Sequence, residues 1–299
     1  MTVLLEAPGV ALAMSPEHGA TITSLRDTFA HREWLEQPRA GLADFSPAVS
    51  FDEGDLCGWD EMMPTIDACR DPGTTIELAE HGDLWRTPWT LEEMSARSVT
   101  TSVSGTSPFS LSRTVEVSAQ RVDLHYSLQT RGAAALHLLY AAHPLFGYLP
   151  GTRVVLDAGP HGLVGLRDDD TSPMRWPVGG LDLVDAVAPG TSRKLFLDPS
   201  ARLSTVRLID ETGTSLAVSG QSTSWRTSAC GSTTDTSRRT RSSRSSRPTD
   251  WATRCSAASS ARRLPRHRVT PLARGPSQSN GPIGRSWDSA ARTTKREGR

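Results

Sequence analysis

From residue 21 onward the chain alternates apolar and polar positions in short bursts. Residues 21–25 (TITSL), 113–117 (RTVEV), 122–128 (VDLHYSL) and 205–209 (TVRLI) interleave polar and apolar side chains, close to the period of a strand with one face on a core. Breakers such as Asp71-Pro72-Gly73, Pro189-Gly190 and Glu211-Thr212-Gly213 stand between such bursts, where turns need them. Stretches with a 3.6-residue period are few; residues 29–35 are the best candidate for a short helix. The pattern predicts an all-β, antiparallel, two-layer domain rather than an alternating βαβ one.

Near Ser219 the character changes. From Ser222 to the last residue the only Leu, Ile or Val are Leu264, Val269, Leu272 and Ile283, and Arg, Ser and Thr dominate, as in SRRTRSSRSSR at 237–247. So little apolar surface cannot offset the entropy of ordering a chain, which predicts a disordered tail. The zero net charge conceals the same division. Residues 222–299 carry 17 of the 33 basic and 4 of the 33 acidic residues. An acidic domain of residues 1–220 is therefore followed by a basic tail of residues 221–299. Taken alone, that asymmetry suggests a nucleic-acid-binding arm. Trp225, Trp251 and Trp287 are out of place in a low-complexity segment.

Cys57, Cys69, Cys230 and Cys255 form no CxxC pair, and no Cys/His group has zinc-ligand spacing. The first residues, MTVLLEAPGVALAM, lack the basic start of a signal peptide, and no run of 18 apolar residues occurs. The expectation is a cytoplasmic protein with reduced thiols, no metal and no membrane span.

Three short motifs concentrate chemistry. Gly58-Trp59-Asp60-Glu61-Met62-Met63-Pro64-Thr65 sets two adjacent carboxylates beside an indole. On a strand such neighbours point to opposite faces, so only one of Asp60 and Glu61 readily serves a given site. His81-Gly82-Asp83-Leu84-Trp85-Arg86-Thr87-Pro88-Trp89 gathers an imidazole, a guanidinium and two indoles within nine residues. Ala141-Ala142-His143-Pro144-Leu145-Phe146 ends an apolar run on a histidine. Indole faces stack on sugar rings, carboxylates, Arg and His bond hydroxyls, and histidine exchanges protons near neutrality. Each motif also has an ordinary structural reading: a core histidine, a turn histidine beside glycine, a solvated acidic edge, core tryptophans. Composition and spacing leave that choice open.

Taken in order, GATITSL, GWDEMMPT, HGDLWRTPW and AAHPLF resemble the aldose 1-epimerase (galactose mutarotase-like) family over residues 18–220. The resemblance implies a galactose mutarotase-like β-supersandwich, incomplete at its C-terminus. It also implies His81 and His143 as the catalytic histidines, with His143 protonating the ring oxygen and His81 holding the sugar. Trp59, Asp60, Glu61, Trp85 and Arg86 become candidate substrate-binding residues. The family's Asn-Arg after the first proline motif is absent here, since Pro64 leads into Thr65-Ile66-Asp67. That departure leaves the identity of the sugar open.

The family's general base is a glutamate in a C-terminal Glu-Pro motif, which this chain lacks after residue 150. Translation of the tail one base out of register accounts for the gap. Shifted, residues 226–236 permit Tyr-Leu-Gly-Leu-Trp-Leu-Asn-Tyr-Gly-Tyr, similar to a family strand, and residues 245–255 permit Glu-Pro-Thr-Asp-Gly-Leu-Gly-Asp-Ser-Leu. Several steps are tightly constrained: Asp250-Trp251 yields only Leu, Trp251-Ala252 only Gly, and Cys230-Gly231 only Trp or Arg. The 31 arginines against two lysines fit a GC-rich gene. The competing reading is a genuine Arg/Ser-rich tail that binds nucleic acid; the frame argument makes nucleic acid an unexpected partner. The expected function is interconversion of sugar anomers on a monosaccharide or sugar derivative, without cofactor, impaired in this chain by the missing base. The alternative is a non-catalytic carbohydrate-binding module.

Overall fold

The computed structural model describes residues 1–38, 42, 57–71, 76–105, 108–131, 138–157, 165–167, 173–177, 179–188, 192–197, 203, 205–219, 229–233 and 285–288. The first sheet is antiparallel and runs β1 (Val3–Ala7), β2 (Val10–Ser15), β3 (Thr21–Asp27), β5 (Trp59–Met62), β12 (Ala141–Pro144), with β4 (Arg32–Glu33) also on β3. The second runs β8 (Thr90–Met94), β9 (Ser98–Ser104), β10 (Phe109–Ser118), β11 (Arg121–Thr130). Strand β10 packs across β1 and β2, which makes the two sheets the layers of a sandwich. Smaller antiparallel sheets follow: β13 (Arg153–Asp157) with β17 (Thr205–Ile209) and β18 (Ser215–Ser219), and β15 (Pro173–Arg175) with β14 (Gly165–Arg167) and β16 (Ser192–Leu197). A two-stranded ribbon, β6 (Cys69–Arg70) and β7 (Glu77–Leu78), lies near the first sheet's β5 in the chain. The all-β, antiparallel expectation holds, and the four alternating stretches lie in β3, β10, β11 and β17.

The expected helix at 29–35 does not form. The Asp27 carboxylate accepts the N–H groups of Phe29 (2.8 Å) and Ala30 (2.9 Å), which closes a turn leading straight into β4. A side chain that satisfies two successive backbone donors in this way competes with a helical ladder. At Glu211–Gly213 the expected turn is present, with Asp210 Oδ1 accepting from the Thr212 and Thr214 N–H groups at 2.9 and 3.0 Å. The turns expected at 72–73 and 189–190 lie outside the described residues. So does most of the tail expected to be disordered; within it, β19 (Ala229–Thr233) pairs with β16 and β20 (Arg285–Asp288) with β11.

Strand β10 shows how the sequence pattern builds the core and where it breaks its own rule. Phe109, Leu111, Val115 and Val117 point inward, all 4% exposed or less, and Arg113 sits in the same phase at 0%. Its charge is met across the sandwich by Glu61 on β5, with Arg113 Nη1 donating to Glu61 Oε1 at 2.8 Å and both side chains fully buried. Nη2 donates to the Ala20 carbonyl and to Met14 Sδ, and the guanidinium lies 5.1 Å from the Trp89 ring centroid. The remaining acceptor capacity of Glu61 is filled by Tyr126 OH on β11 (2.6 Å) and Tyr140 OH just before β12 (2.5 Å). Three strands of the two sheets and the residue preceding β12 thus meet at one carboxylate.

Removing one partner of such a pair strands a buried charge, at a cost of about 3–5 kcal/mol, whereas replacing both with apolar groups costs far less. Glu61→Gln should therefore lose about that much stability by denaturant titration, and Glu61→Leu combined with Arg113→Met should recover most of it. A Glu61→Gln loss below about 1 kcal/mol would show that the pair does not hold the sheets together.

Candidate functional site

Strand β5 and its extension hold both histidine segments, one on each side. On one side, β12 pairs with β5 so that His143 stands directly opposite Asp60 and Ala142 opposite Glu61. The register continues through Leu145 N–H to the Gly58 carbonyl (2.8 Å) and Leu139 N–H to the Pro64 carbonyl (2.8 Å). On the other side, the segment at 81–83 attaches to the residues that follow β5. His81 N–H donates to the Ile66 carbonyl (2.7 Å), Asp83 N–H to the Met63 carbonyl (2.9 Å), and Gly82 bridges Met63 in parallel. Residues 62 positions apart in sequence are thereby brought to one strand, and their imidazole centroids lie 6.0 Å apart at an interplanar angle of 33°.

The backbone at His81 is strained. Its φ is +58°, in the left-handed region that side chains with a Cβ disfavour, and Gly82 follows at +67°. A Cβ at Gly82 would lie 2.0 Å from the Met63 carbonyl oxygen, so only glycine permits this approach. The segment is held in place downstream. Leu84 and Trp85 are buried in a 3₁₀ turn, Thr87 Oγ1 donates to the Asp83 carbonyl (2.7 Å), and Trp89 Nε1 donates to the Leu84 carbonyl (3.1 Å).

Strand alternation divides the candidate residues. Asp60 faces His143, and its Oδ1 lies 3.0 Å from His143 Nδ1, with side-chain exposures of 10% and 31%. Trp59 and Glu61 take the opposite phase and belong to the core. Trp59 meets Phe146 edge-to-face at 6.5 Å and is 6% exposed, and Glu61 is 0% exposed with its oxygens occupied. Trp85 is 2% exposed, with the half-buried Arg86 guanidinium 4.4 Å from its ring centroid. Of the residues expected to bind substrate, Trp59, Glu61 and Trp85 are thus placed in the core, whereas Asp60 and Arg86 are not. Among the described residues, no group of three His, Cys, Asp or Glu is placed to hold a metal ion, and no helix is long and apolar enough to cross a membrane.

The sequence reading missed Arg113, Tyr126 and Tyr140, although it contained a signal for two of them. Arg113 is in phase with Val115 and Val117, and Tyr126 with Val122 and Leu124. A cation in an apolar phase requires a buried anion, and Glu61 supplies it. Burial raises the Glu61 carboxyl above its ordinary value, against the lowering pull of Arg113 and the two phenols. Burial first, then the charge of Glu61, raise both Tyr126 and Tyr140 well above 10.0. Both phenols therefore stay protonated and donate to the carboxylate at neutral pH.

No family model matches the chain, and no curated protein does. Solved structures do. The Slr1438 protein of Synechocystis sp. PCC 6803 matches with a TM-score of 0.62 at 17% identity, over 78% of this chain and 81% of its own. A galactose mutarotase-like protein from Lactobacillus casei ATCC 334 matches with a TM-score of 0.61 at 13% identity, over 79% and 84%. A galactose mutarotase related enzyme from Lactobacillus acidophilus matches with a TM-score of 0.51 at 13% identity, over 77% and 84%. The chain thus has the galactose mutarotase-like fold, an antiparallel β-sandwich, and at these identities the likeness concerns the fold alone.

Two measurements test the local physics. Tyr126 and Tyr140 keep protons in the folded chain that the unfolded chain releases near pH 10, so their contribution to stability is constant below that pH and falls as pH rises above it. Of the three tyrosines only the half-buried Tyr148 should ionise in the folded chain, and the phenolate absorbance of the other two should appear together with loss of tertiary structure; ionisation of all three in a still-folded chain would contradict the burial. At His81 the strain predicts that His81→Gly is more stable than His81→Ala by roughly 0.5–1 kcal/mol. Equal unfolding midpoints would remove the claim of strain.

Proposed function

We propose that the domain is an aldose 1-epimerase-type isomerase that interconverts the α and β anomers of a monosaccharide. The observation that carries the reading is the pair of imidazoles 6.0 Å apart beside β5, one paired with a carboxylate and one held in a strained backbone, within a galactose mutarotase-like fold. Strained residues that persist against their cost cluster at functional sites. In the reaction a base takes the proton of the anomeric hydroxyl, the bond from C1 to the ring oxygen breaks, and His143 gives a proton to that oxygen. Rotation about C1–C2 and the reverse steps close the other face. His81, Asp60 and Arg86 are the remaining groups able to orient the sugar or the acid.

The base is the missing part. The resemblance assigns it to a glutamate in a Glu-Pro motif, which a shifted reading frame of the tail permits. On this reading the chain as written is impaired, and restoring one base near codon 219 returns the motif. The absence of Glu-Pro also favours a second reading, a sugar-binding module without turnover.

The frame-restored protein should interconvert glucose or galactose anomers in a polarimetric assay. His143→Ala should lower that rate on the order of 10²- to 10⁴-fold, the usual share of one acid or base, while sparing sugar binding measured by calorimetry. A restored protein that folds and binds sugar without accelerating mutarotation would support the binding module instead.

A further inference from the structure

We infer that Asp60 is a positioning residue that fixes the tautomer of His143, so that Nδ1 carries a structural proton and Nε2 is the nitrogen that exchanges protons with a ligand. This rests on the proposed function for what the exchange accomplishes, but the assignment itself follows from geometry. An ionised carboxylate only accepts hydrogen bonds. At 3.0 Å, Nδ1–H of His143 must therefore be the donor to Asp60 Oδ1. In the neutral ring, Nε2 then bears the lone pair, and in the charged ring it bears the transferable proton. Which nitrogen works is set by the bond the other one makes.

The contact is a directly opposed cross-strand pair, not a chance meeting of surface chains. His143 and Asp60 are partners in the β12–β5 ladder, where opposed side chains are neighbours by construction. The face of Asp60 is set, because the next residue, Glu61, is fixed on the other face by Arg113, Tyr126 and Tyr140. With only 10% of its side chain exposed, Asp60 is spent on the imidazole and not offered to a sugar hydroxyl. The pairing reassigns it from direct sugar contact, as the sequence alone suggested, to holding the ring that makes the contact.

The test uses the full chain with ¹⁵N-labelled histidine. The imidazole nitrogen shifts of neutral His143, assigned by comparison with His143→Gln, should report the Nδ1–H form, and Asp60→Ala should convert it to the Nε2–H form that free imidazole prefers. An Nε2–H signature in the parent chain would overturn the assignment without any further variant, so a folding defect in Asp60→Ala does not shelter it. Galactose titration supplies the second readout. If Asp60 only positions the ring, Asp60→Ala should change galactose affinity less than about 3-fold. Loss of a bond to a charged group typically costs tenfold or more, so a fall of that size would return Asp60 to the sugar-binding role and overturn the proposal. Absence of galactose binding to the parent chain would count against the sugar reading, while the tautomer measurement would still decide the role of Asp60.

Discussion

One buried ion pair governs the geometry of the rest. Arg113 and Glu61 are each withdrawn wholly from water, which is costly for either alone and tolerable only because they meet with their hydrogen bonds largely filled. Their meeting is also a constraint on register. Slipping β5 by one residue would turn Glu61 away from β10 and present Asp60 to the core, leaving a buried guanidinium without its carboxylate. The pair therefore chooses which carboxylate of the Asp60-Glu61 couple faces the sandwich interior. The other is consigned to the opposite face, where β12 delivers His143 to it.

Core and site are in this sense two faces of one strand. The inner face is closed by Arg113, Tyr126 and Tyr140 around a single carboxylate, and the tyrosine rings meet edge-on at 5.4 Å. The outer face holds Asp60 against His143. On its far side the strand extension receives the 81–83 segment through backbone bonds that only glycine at 82 allows. The strain at His81 is sustained by Leu84, Trp85 and Trp89, which are buried at 4% exposure or less and anchor the segment downstream.

The fold by itself does not specify a reaction, since one sandwich can host many chemistries. What narrows the reading here is the conjunction of two imidazoles, a fixed carboxylate and a strained backbone within one strand's reach. On the proposed reading the acid would come from the described domain, and the base from the C-terminal region, where the amino-acid pattern departs from that of a packed domain.

The sequence alone determined the class of fold, because period-2 alternation reports directly on strands with one face in a core, and β3, β10, β11 and β17 all lie where it appears. It also marked the two histidine motifs, since glycine and proline flank them for local backbone reasons. It could not tell which tryptophans stack and which pack, nor which of Asp60 and Glu61 faces the site. Alternation fixes that two neighbours differ in face but not which face is which. That was decided by the partner across the sandwich, Arg113, 52 residues away. The helix expected at 29–35 failed for the same kind of reason at shorter range, since a single Asp27 carboxylate captured the backbone donors. Local pattern sets the element; only the long-range partner, by making one arrangement of charge affordable in the core, sets its orientation.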